Sequence, residues 1–445
     1  MTNDATGPVT RLVGDYVLPL SSGAAELVAG GAIDIAADGR IVAVGAEADL
    51  AATEQSDIRI NRVGGLLMPG LVNTHAHTPM TLVRSAGDGM ALQQWLTDAI
   101  WPREGKMSPD DAYWGMKLGS LEMLLAGVTT SCEMYFFEDA MAQAVNETGG
   151  RLVLCPGVIA ALLPGGDVEP RIAELAELHA RHHDADGRIT VGYGPHSTYD
   201  LTPEQVGRIA AQARDVGALV HIHLEETQAE RDQVIGQYGR SATKLLAEAE
   251  VFAGPAIVAH GVWLDADDQQ ILADAGTAVA HCPMSNLKLG SGIAPVTDMR
   301  RRGISVVLGT DGVASNDNLD LWEELKLAPL LARGSTRDTA AMSASDALRM
   351  ATIEAGQAVQ LPDVGHLTPG TQADIIRIDL DQPNYVPGLP DDLLTHVVFA
   401  GSSSHVTDVW VTGEQVVANR TPTRVDLAEA LAECRDRGAK LAADH

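Results

Sequence analysis

The stretch LLMPGLVNTHAH (residues 66–77) decides the fold, because it is the first of eight short apolar segments that recur along the chain. Most of these segments are separated by stretches with apolar residues at i, i+3 and i+4, as in PEQVGRIAAQARDV (203–216), and this spacing predicts amphipathic helices. The other seven segments are GVTTSCEM (127–134), RLVLCPGVI (151–159), RITVGYGPHS (188–197), ALVHIHLEE (218–226), AIVAHGV (256–262), TAVAHCPMS (277–285) and ISVVLGTDG (304–312). Eight strand and helix units in succession predict an α/β fold, a TIM-like (β/α)₈ barrel.

Both chain ends show the two-residue alternation of half-buried strands. The segment AIDIAADGRIVAVG (32–45) alternates around an Asp-Gly turn and predicts a hairpin. The segments GHLTPGTQADIIRIDL (365–380) and HVVFAGSSSHVTDVWVTGEQVVA (396–418) alternate in the same way. We therefore expect one small β-sandwich domain composed of both ends. The expected order is the N-terminal part of this domain (1–65), the barrel (66–362), the C-terminal part (363–420) and a C-terminal surface helix (421–445).

Composition limits the class of protein. With 31 Lys and Arg against 60 Asp and Glu, the formal net charge is −29. Such an acidic surface repels phosphate backbones and anionic lipids, so we expect no nucleic acid and no membrane as a partner. The N-terminus has no basic segment followed by an apolar run, and no stretch reaches the roughly 18 apolar residues that span a bilayer. The expected location is the cytoplasm.

The four cysteines do not point to a disulfide framework or to a thiolate zinc site. They are Cys132, Cys155, Cys282 and Cys434, which lie far apart and form no CxxC pair.

Histidines and carboxylates fall at the ends of the predicted barrel strands. In such a barrel, side chains at the carboxyl ends of the strands point into one shared mouth, where the chemistry is done. Strand side chains alternate, so His75 and His77 face the same side of the first strand. The other strand-end residues are His196, His223, Glu226, His260 and Asp311. A convergent metal site explains this placement better than a set of independent core histidines. His221 faces the same way as His223 but deeper, and we interpret it as structural.

Imidazoles with one carboxylate are typical ligands of zinc, with Fe²⁺ and Mn²⁺ as alternatives. We expect one divalent metal, held by His75, His77, His223 and Asp311. Glu226 is placed to protonate a ring nitrogen of the substrate, and His260 to orient the attacking water. Asp311 and Glu226 would then pass protons to a leaving amine. This chemistry is hydrolytic deamination.

Several motifs resemble those of the amidohydrolase superfamily. They are PGLVNTHAHTPMTLVRS, GPHS, HIHLEET, VAHG, HCPMSNLKLGSGIAPV and GTDGVASND. The chain is most similar to the methylthioadenosine/S-adenosylhomocysteine deaminases, from about Ala32 to about Val417. The HxH and GTDG motifs indicate only the superfamily, whereas SNLKLGSGIAPV with WPREG distinguishes these deaminases from triazine chlorohydrolases and cytosine deaminases. The resemblance implies conversion of an adenine nucleoside to the inosine analogue and ammonia. The candidate substrates are adenosine, 5′-deoxyadenosine, methylthioadenosine and S-adenosylhomocysteine.

The resemblance also implies roles for individual residues. The same four metal ligands match, and Glu226 with His260 matches the proton-transfer pair. Glu104 matches an acidic residue that accepts hydrogen bonds from the ribose hydroxyls, His196 a second ribose contact, and Ser315 a contact near the purine. The fourth strand ends in His196, where a binuclear relative would carry a bridging lysine, and this favours a single metal.

One departure concerns the 5′ end of the substrate. Relatives that accept S-adenosylhomocysteine use two arginines for its carboxylate. Arg171 lies near the second position, but Pro156 replaces the first. A clamp with one arm missing loses on the order of 1–3 kcal/mol of charge-assisted bonding. This favours substrates with a small 5′ group.

Two alternatives to nucleoside deamination remain. The same site could act on a free base, a pterin or a triazine ring, in which case Glu104 would have no ribose to bind. The barrel could instead be a non-enzymatic assembly scaffold or an acidic surface for cationic partners, although every predicted ligand position is filled. The resemblance also implies a homo-oligomer, because relatives are often dimers or tetramers.

Overall fold

The computed structural model describes residues 8–21, 26–50, 58–184 and 187–443. Its strands are β1 (Val9–Val13), β2 (Tyr16–Val17), β3 (Val28–Ala29), β4 (Gly31–Ile35), β5 (Ile41–Ala46), β6 (Ile58–Arg62), β7 (Leu66–Pro69), β8 (Leu71–Ala76), β9 (Val128–Tyr135), β10 (Arg151–Val158), β11 (Ile189–Val191), β12 (Gly194–Pro195), β13 (Val220–Leu224), β14 (Ala256–His260), β15 (Ala278–His281), β16 (Val306–Leu308), β17 (Ile375–Ile378), β18 (Val406–Val411), β19 (Glu414–Ala418) and β20 (Thr421–Pro422). Residues 1–7, on which part of the expectation about the N-terminus rests, lie outside the described residues.

The helices alternate with the strands through the middle of the chain. They are α1 (Glu47–Leu50), α2 (Leu92–Gln94), α3 (Trp101–Glu104), α4 (Pro109–Leu125), α5 (Glu138–Thr148), α6 (Glu169–His182), α7 (Pro203–Asp215), α8 (Gln228–Tyr238), α9 (Ala242–Glu248), α10 (Ala266–Ala275), α11 (Pro283–Lys288), α12 (Val296–Arg301), α13 (Leu321–Thr336), α14 (Ala344–Met350), α15 (Ile353–Ala358), α16 (Leu393–Phe399) and α17 (Leu427–Ala442). A single π-helical turn, Trp95–Ile100, joins α2 to α3.

The predicted barrel is confirmed. Strands β8 to β12 form one parallel sheet and β13 to β16 a second. The Tyr193 N–H donates to the Leu219 carbonyl at 2.8 Å and joins the two sheets on one side. The Asp311 N–H donates to the His75 carbonyl at 2.9 Å and joins them on the other. The sheet is therefore closed. The fourth predicted strand is divided into β11 and β12, both of which pair with β10.

Several barrel helices begin at capping boxes that the sequence places directly before them. Ser108 before α4 accepts a hydrogen bond from the Asp111 N–H, and the Asp111 carboxylate accepts from the Ser108 N–H. Thr202 before α7 makes the same reciprocal pair with Gln205. Each box satisfies backbone donors that the first helical turn leaves free, so helix and strand boundaries are set locally.

Strands from both chain ends pack together beside the barrel. One sheet has the order β5-β4-β1-β6, and the other has the order β20-β19-β18-β17-β7-β2-β3. Leu12 and Ile33 of the first sheet share one buried apolar cluster with Leu67, Ile375 and Trp410 of the second. The burial of these faces against each other explains the alternating pattern of both chain ends. The domain boundaries drawn after residues 65, 362 and 420 stay a prediction.

The expectation of strand character at residues 396–399 is wrong. HVVF belongs to α16, in which Leu393 and Val397 are four residues apart and both are buried. Asp391 and Asp392 precede this helix and favour its N-terminus through the helix dipole. An apolar run this short is compatible with both the two-residue period of a strand and the 3.6-residue period of a helix. Packing against α14 and α13 favours the helix. In α17, Ala430, Cys434 and Leu441 are buried, so one face of the predicted surface helix packs against the molecule.

A buried ion pair ties the barrel to the β-sandwich. The Arg151 guanidinium on β10 donates to both carboxylate oxygens of Asp374, at 3.1 and 3.2 Å, and the two side chains are 4% and 1% exposed. Removal of the cation would leave Asp374 buried without its counter-charge. We expect Arg151→Ala to lower the free energy of unfolding by about 3–5 kcal/mol, measured by urea denaturation.

The control for this variant is Arg301→Ala, which removes an exposed guanidinium that lies 3.6 Å from Asp298. Its effect should stay within about 0.5 kcal/mol. Equal losses in the two variants would contradict a special role for the buried pair.

Candidate active site

The predicted site residues lie at one rim of the barrel. His75 is in β8, His223 is in β13 and His260 is the last residue of β14, while Asp311 follows β16. His260 and Asp311 have φ of 75° and 64°, in the left-handed region that non-glycine residues seldom adopt. The strain of such conformations persists where surrounding contacts fix the backbone, and it is common at functional sites. Gly309 comes so near to β8 that a Cβ there would lie 2.9 Å from the His75 nitrogen.

Donor atoms come together at this rim in two overlapping groups, each within 4.8 Å: those of His75, His77 and His223, and those of His75, His260 and Asp311. The Oδ1 atom of Asp311 lies 3.4 Å from His75 Nε2 and 3.3 Å from His77 Nε2. His77 Nε2 lies 3.3 Å from His223 Nε2. Ligand atoms at about 2.0–2.1 Å from a tetrahedral zinc ion are about 3.3 Å apart. Among the described residues, the buried Nε2 of His75 has no hydrogen-bond partner. The donor set and its spacing therefore fit a divalent cation.

The other ring nitrogen of each of these histidines is held by the protein. His77 Nδ1 donates to the Met134 carbonyl at 2.5 Å, and His223 Nδ1 donates to the His196 carbonyl at 2.9 Å. His75 Nδ1 lies 2.9 Å from His221 Nε2. These bonds leave each Nε2 lone pair directed at the common point, as metal-binding histidines require. His221 thus orients a ligand.

Asp311 is held as an anion. Its Oδ2 accepts from the Ser285 hydroxyl at 2.6 Å and from the Ser315 hydroxyl at 3.2 Å, while Oδ1 accepts from the Gly312 N–H at 2.7 Å. Burial alone would raise the pKa of Asp311, but the neighbouring rings of His75 and His77 outweigh burial and lower the pKa well below the usual value. An ionised carboxylate is the form that binds a metal.

The surroundings of Glu226 and His260 disfavour the charged form of both side chains. Burial, and then the charge of Asp311, raises the pKa of Glu226 well above its usual value, which favours the protonated form. Burial lowers the pKa of His260 to about 3, so its ring is neutral. The Asn286 amide donates to His260 Nδ1 at 3.0 Å, which places the ring proton on Nε2, 3.8 Å from Glu226 Oε2. The site therefore offers one proton donor and one neutral hydrogen-bond donor beside the metal ligands.

A cavity, the inner chamber, opens above these groups. Its walls include His77, Glu104, His196, His223, Glu226, His260 and Asp311. Glu104 accepts from the Tyr135 hydroxyl at 2.7 Å, and burial raises the pKa of its carboxyl. Burial, and then the charges of His77 and His75, lowers the pKa of His196 to about 3. The π-helical turn supplies Trp95, Leu96 and Ile100 to the apolar wall.

Three predicted residues lie apart from the inner chamber wall. His75 is fully buried beneath the other ligands. Ser315 lies behind Asp311 and donates to it. Arg171, on α6, lines a second cavity, the outer chamber, which shares Trp101, Glu104, Phe136, Gly157 and Ile159 with the inner one. Pro156 is buried in β10.

Sequence reasoning did not identify the residues that hold the site groups in place. Ser285 donates to Asp311, and Asn286 donates to His260. Both lie in the HCPMSN motif, and their position just after β15 could have indicated that they reach the site. Glu230 accepts from the backbone N–H groups of Glu225 and Glu226 and so holds the turn that carries Glu226. Its signal is the T-x-x-E pattern that begins with Thr227.

Comparison with known proteins gives one consistent picture. The model of the Amidohydrolase family matches residues 66–416. A 5-methylthioadenosine/S-adenosylhomocysteine deaminase from Pelotomaculum thermopropionicum is 42% identical over 383 residues, which is 86% of this chain and 87% of that protein.

Solved structures extend the comparison. An adenosine deaminase from Xanthomonas campestris with bound zinc has a TM-score of 0.92 and 30% identity, and covers 98% of both chains. The atrazine chlorohydrolase TrzN from Arthrobacter aurescens, complexed with zinc, has a TM-score of 0.87 and 26% identity, and covers 96% of this chain and 100% of its own.

The role of His221 can be separated from that of the ligands it supports. We expect His221→Ala to weaken binding of Zn²⁺ by about 10- to 100-fold, because His75 loses the partner of its Nδ1. Replacement of a ligand, as in His223→Ala, should abolish stoichiometric binding. Competition with a chromophoric chelator measures both effects.

The matched control is His366→Ala, which removes a half-buried histidine that contacts Pro362 and Thr368. An unchanged zinc affinity in His221→Ala would show that His75 does not need its hydrogen bond with His221 in order to bind zinc.

Proposed function

This chain belongs to the amidohydrolase family, and we propose that it is a metal-dependent deaminase of adenine nucleosides. Its class is that of hydrolases that act on C–N bonds. The observation that carries the proposal is the position of Glu226 and His260, 3.8 Å apart, beside the clustered donor atoms of His75, His77, His223 and Asp311, with Glu104 in the same chamber. The names of the relatives, which include deaminases of methylthioadenosine and adenosine, support it.

The metal is a divalent cation, and we propose zinc. Three imidazoles and one carboxylate are ligands that zinc prefers, and two similar structures contain it. When bound, such a cation makes water acidic enough to act as a nucleophile near neutral pH.

The side chains of the chamber supply the proton transfers. Glu226 donates its proton to the ring nitrogen next to the carbon that bears the amine, while the oxygen of water adds to that carbon. The Nε2–H of His260 orients this oxygen. Asp311 receives one proton of the water and passes it to the amine, which leaves as ammonia. Glu226 takes the remaining hydroxyl proton, which leaves a carbonyl on the product and restores the acid.

Substrate binding is assigned to residues farther from the metal. We propose that Glu104 accepts hydrogen bonds from the ribose hydroxyls and that His196 makes a second ribose contact. Ser315 is proposed to lie near the purine, and Arg171 near the 5′ end. Glu104 is half-buried and already accepts a hydrogen bond from the Tyr135 hydroxyl, and ribose hydroxyls would bond to the acceptor positions that remain.

The cellular setting is proposed on fewer observations. Among the described residues, no helix has both the length and the apolar character needed to cross a membrane. The net charge of −29 supports a cytoplasmic protein that binds neither nucleic acid nor membrane. Assembly into a homo-oligomer stays a prediction.

A substrate screen tests the proposal. Zinc-loaded protein should deaminate adenosine, 5′-deoxyadenosine and methylthioadenosine, followed by the adenine-to-hypoxanthine absorbance change and by ammonia release. Glu226→Gln should lower kcat by about 10²- to 10⁴-fold, because the proton donor is lost. The control is Glu248→Gln, at a side chain that is 57% exposed on α9. Full activity in Glu226→Gln, or no turnover of any nucleoside, would reject the proposal.

Glu104 separates nucleosides from free bases, pterins and triazines. We expect Glu104→Ala to lower kcat/KM for adenosine by about 10- to 100-fold through loss of charge-assisted hydrogen bonds. Any turnover of free adenine should change by much less, because adenine has no ribose. Parallel kinetics with both substrates measure the difference, and equal losses would favour the alternative that the site acts on a ring without a sugar.

A further inference from the structure

The shape and charge of the outer chamber bear on the 5′ end of the substrate, and the inference drawn from them rests on the proposed function. We infer that this chamber receives the 5′ substituent, that Glu138, Arg171 and Glu174 make it reject anionic substituents, and that its apolar wall selects uncharged tails longer than methylthio. The three charged residues are called the Glu–Arg–Glu cluster below.

The two chambers are continuous. Trp101, Glu104, Phe136, Gly157 and Ile159 line both of them. A ribose held at Glu104 would therefore lie at the junction, with the base directed toward the metal ligands. The group on its 5′ carbon then has the outer chamber as the adjoining space.

The only cation among the described residues of the outer wall is already neutralised. One Arg171 nitrogen, Nη2, donates to Glu138 Oε1, and the other, Nη1, donates to Glu174 Oε2 at 3.1 Å. The side chains of Arg171 and Glu138 are 17% and 12% exposed, so their pairing is shielded from solvent. Glu104 adds a third carboxyl to the same wall. The Glu–Arg–Glu cluster thus has two carboxylates for one guanidinium.

A substrate carboxylate that bonds to Arg171 would lie beside the Glu138 and Glu174 carboxylates that already pair with this guanidinium. Like charges brought together in a partly buried site repel strongly. A cationic tail meets no such repulsion but loses hydration against the apolar wall. An uncharged tail is not repelled by the carboxylates and has no charge whose hydration would be lost.

The remaining wall is apolar and larger than a methylthio group needs. Phe136 and Phe137 pack edge to face with their ring centres 5.8 Å apart, and Ile159 and Leu163 continue the surface. Leu162 lies at the chamber wall with 61% of its surface exposed. The outer chamber has a volume of about 460 Å³. An alkyl or aryl tail would cover these side chains and gain by their burial.

Three adenosine derivatives with tails of similar length test the inference on the zinc-loaded protein. They carry a 5′-butylthio group, a 5′-(2-carboxyethyl)thio group or a 5′-(3-aminopropyl)thio group, and methylthioadenosine is the reference. Both kcat/KM and the Kd from calorimetry are measured. We expect the butylthio compound to equal or exceed methylthioadenosine, and the carboxyethylthio compound to fall on the order of 100-fold below the butylthio compound. The aminopropylthio compound should lie between them.

A double variant exposes the guanidinium. In Glu138→Gln with Glu174→Gln, the ratio of kcat/KM for the carboxyethylthio compound to that for the butylthio compound should rise by about tenfold or more, because Arg171 becomes free to bind the carboxylate. Addition of Arg171→Gln to this variant should remove the gain. The matched control is Glu177→Gln, an exposed residue of α6, which should leave the ratio unchanged.

The outcomes separate this inference from the proposed function. Equal values for the carboxyethylthio and butylthio compounds in the unmodified protein, or no change of the ratio in the double variant, would overturn the inference alone. If no compound is deaminated, the proposed function fails, and the order of the Kd values still decides whether the outer chamber discriminates by charge. Absence of binding by all three compounds would overturn both.

Discussion

The hydrogen bond from the Asp311 N–H to the His75 carbonyl closes the barrel between its first and last strands. The same two residues contribute two of the four converging donor atoms, 3.4 Å apart. The contact that closes the sheet therefore also brings two of the donor atoms of the site together. His223 reaches the same point from the opposite part of the barrel, because β13 begins the second sheet and ends at the same rim. A site of this kind cannot exist in a barrel with one strand out of register.

Two carboxyl groups within one small chamber differ in protonation because their neighbours differ. Asp311 accepts hydrogen bonds and faces imidazoles, whereas Glu226 faces Asp311 and has one long bond, 3.4 Å, from the Ser291 hydroxyl. These surroundings favour the anion of Asp311, which can bind a cation, and the protonated form of Glu226. This division of roles between two carboxyl groups is set by environment and not by residue type.

The fold and the centre of the site could be predicted from the sequence because both depend on local patterns. Apolar strands of regular spacing predicted the barrel, and the strand-end positions predicted that His75 would lie close to His77 and His223 and to Asp311, as the structure places them. The assignment of these four residues as metal ligands stays a prediction. The helix α16 was missed because its apolar run fits two periods.

The supporting contacts of the site could not be predicted, because they join residues distant in sequence. Arg171 pairs with Glu138, 33 positions away, so the sequence alone does not show whether its guanidinium is free to bind a ligand.

The two chambers are built by different parts of the rim. The loops after β9 and β10 and helix α6 build much of the outer wall, yet none of the four proposed metal ligands comes from them. Mutations in those loops can accumulate without disturbing the reacting centre. Descendants of one such enzyme can thus diverge in the tails they accept while inheriting the same chemistry.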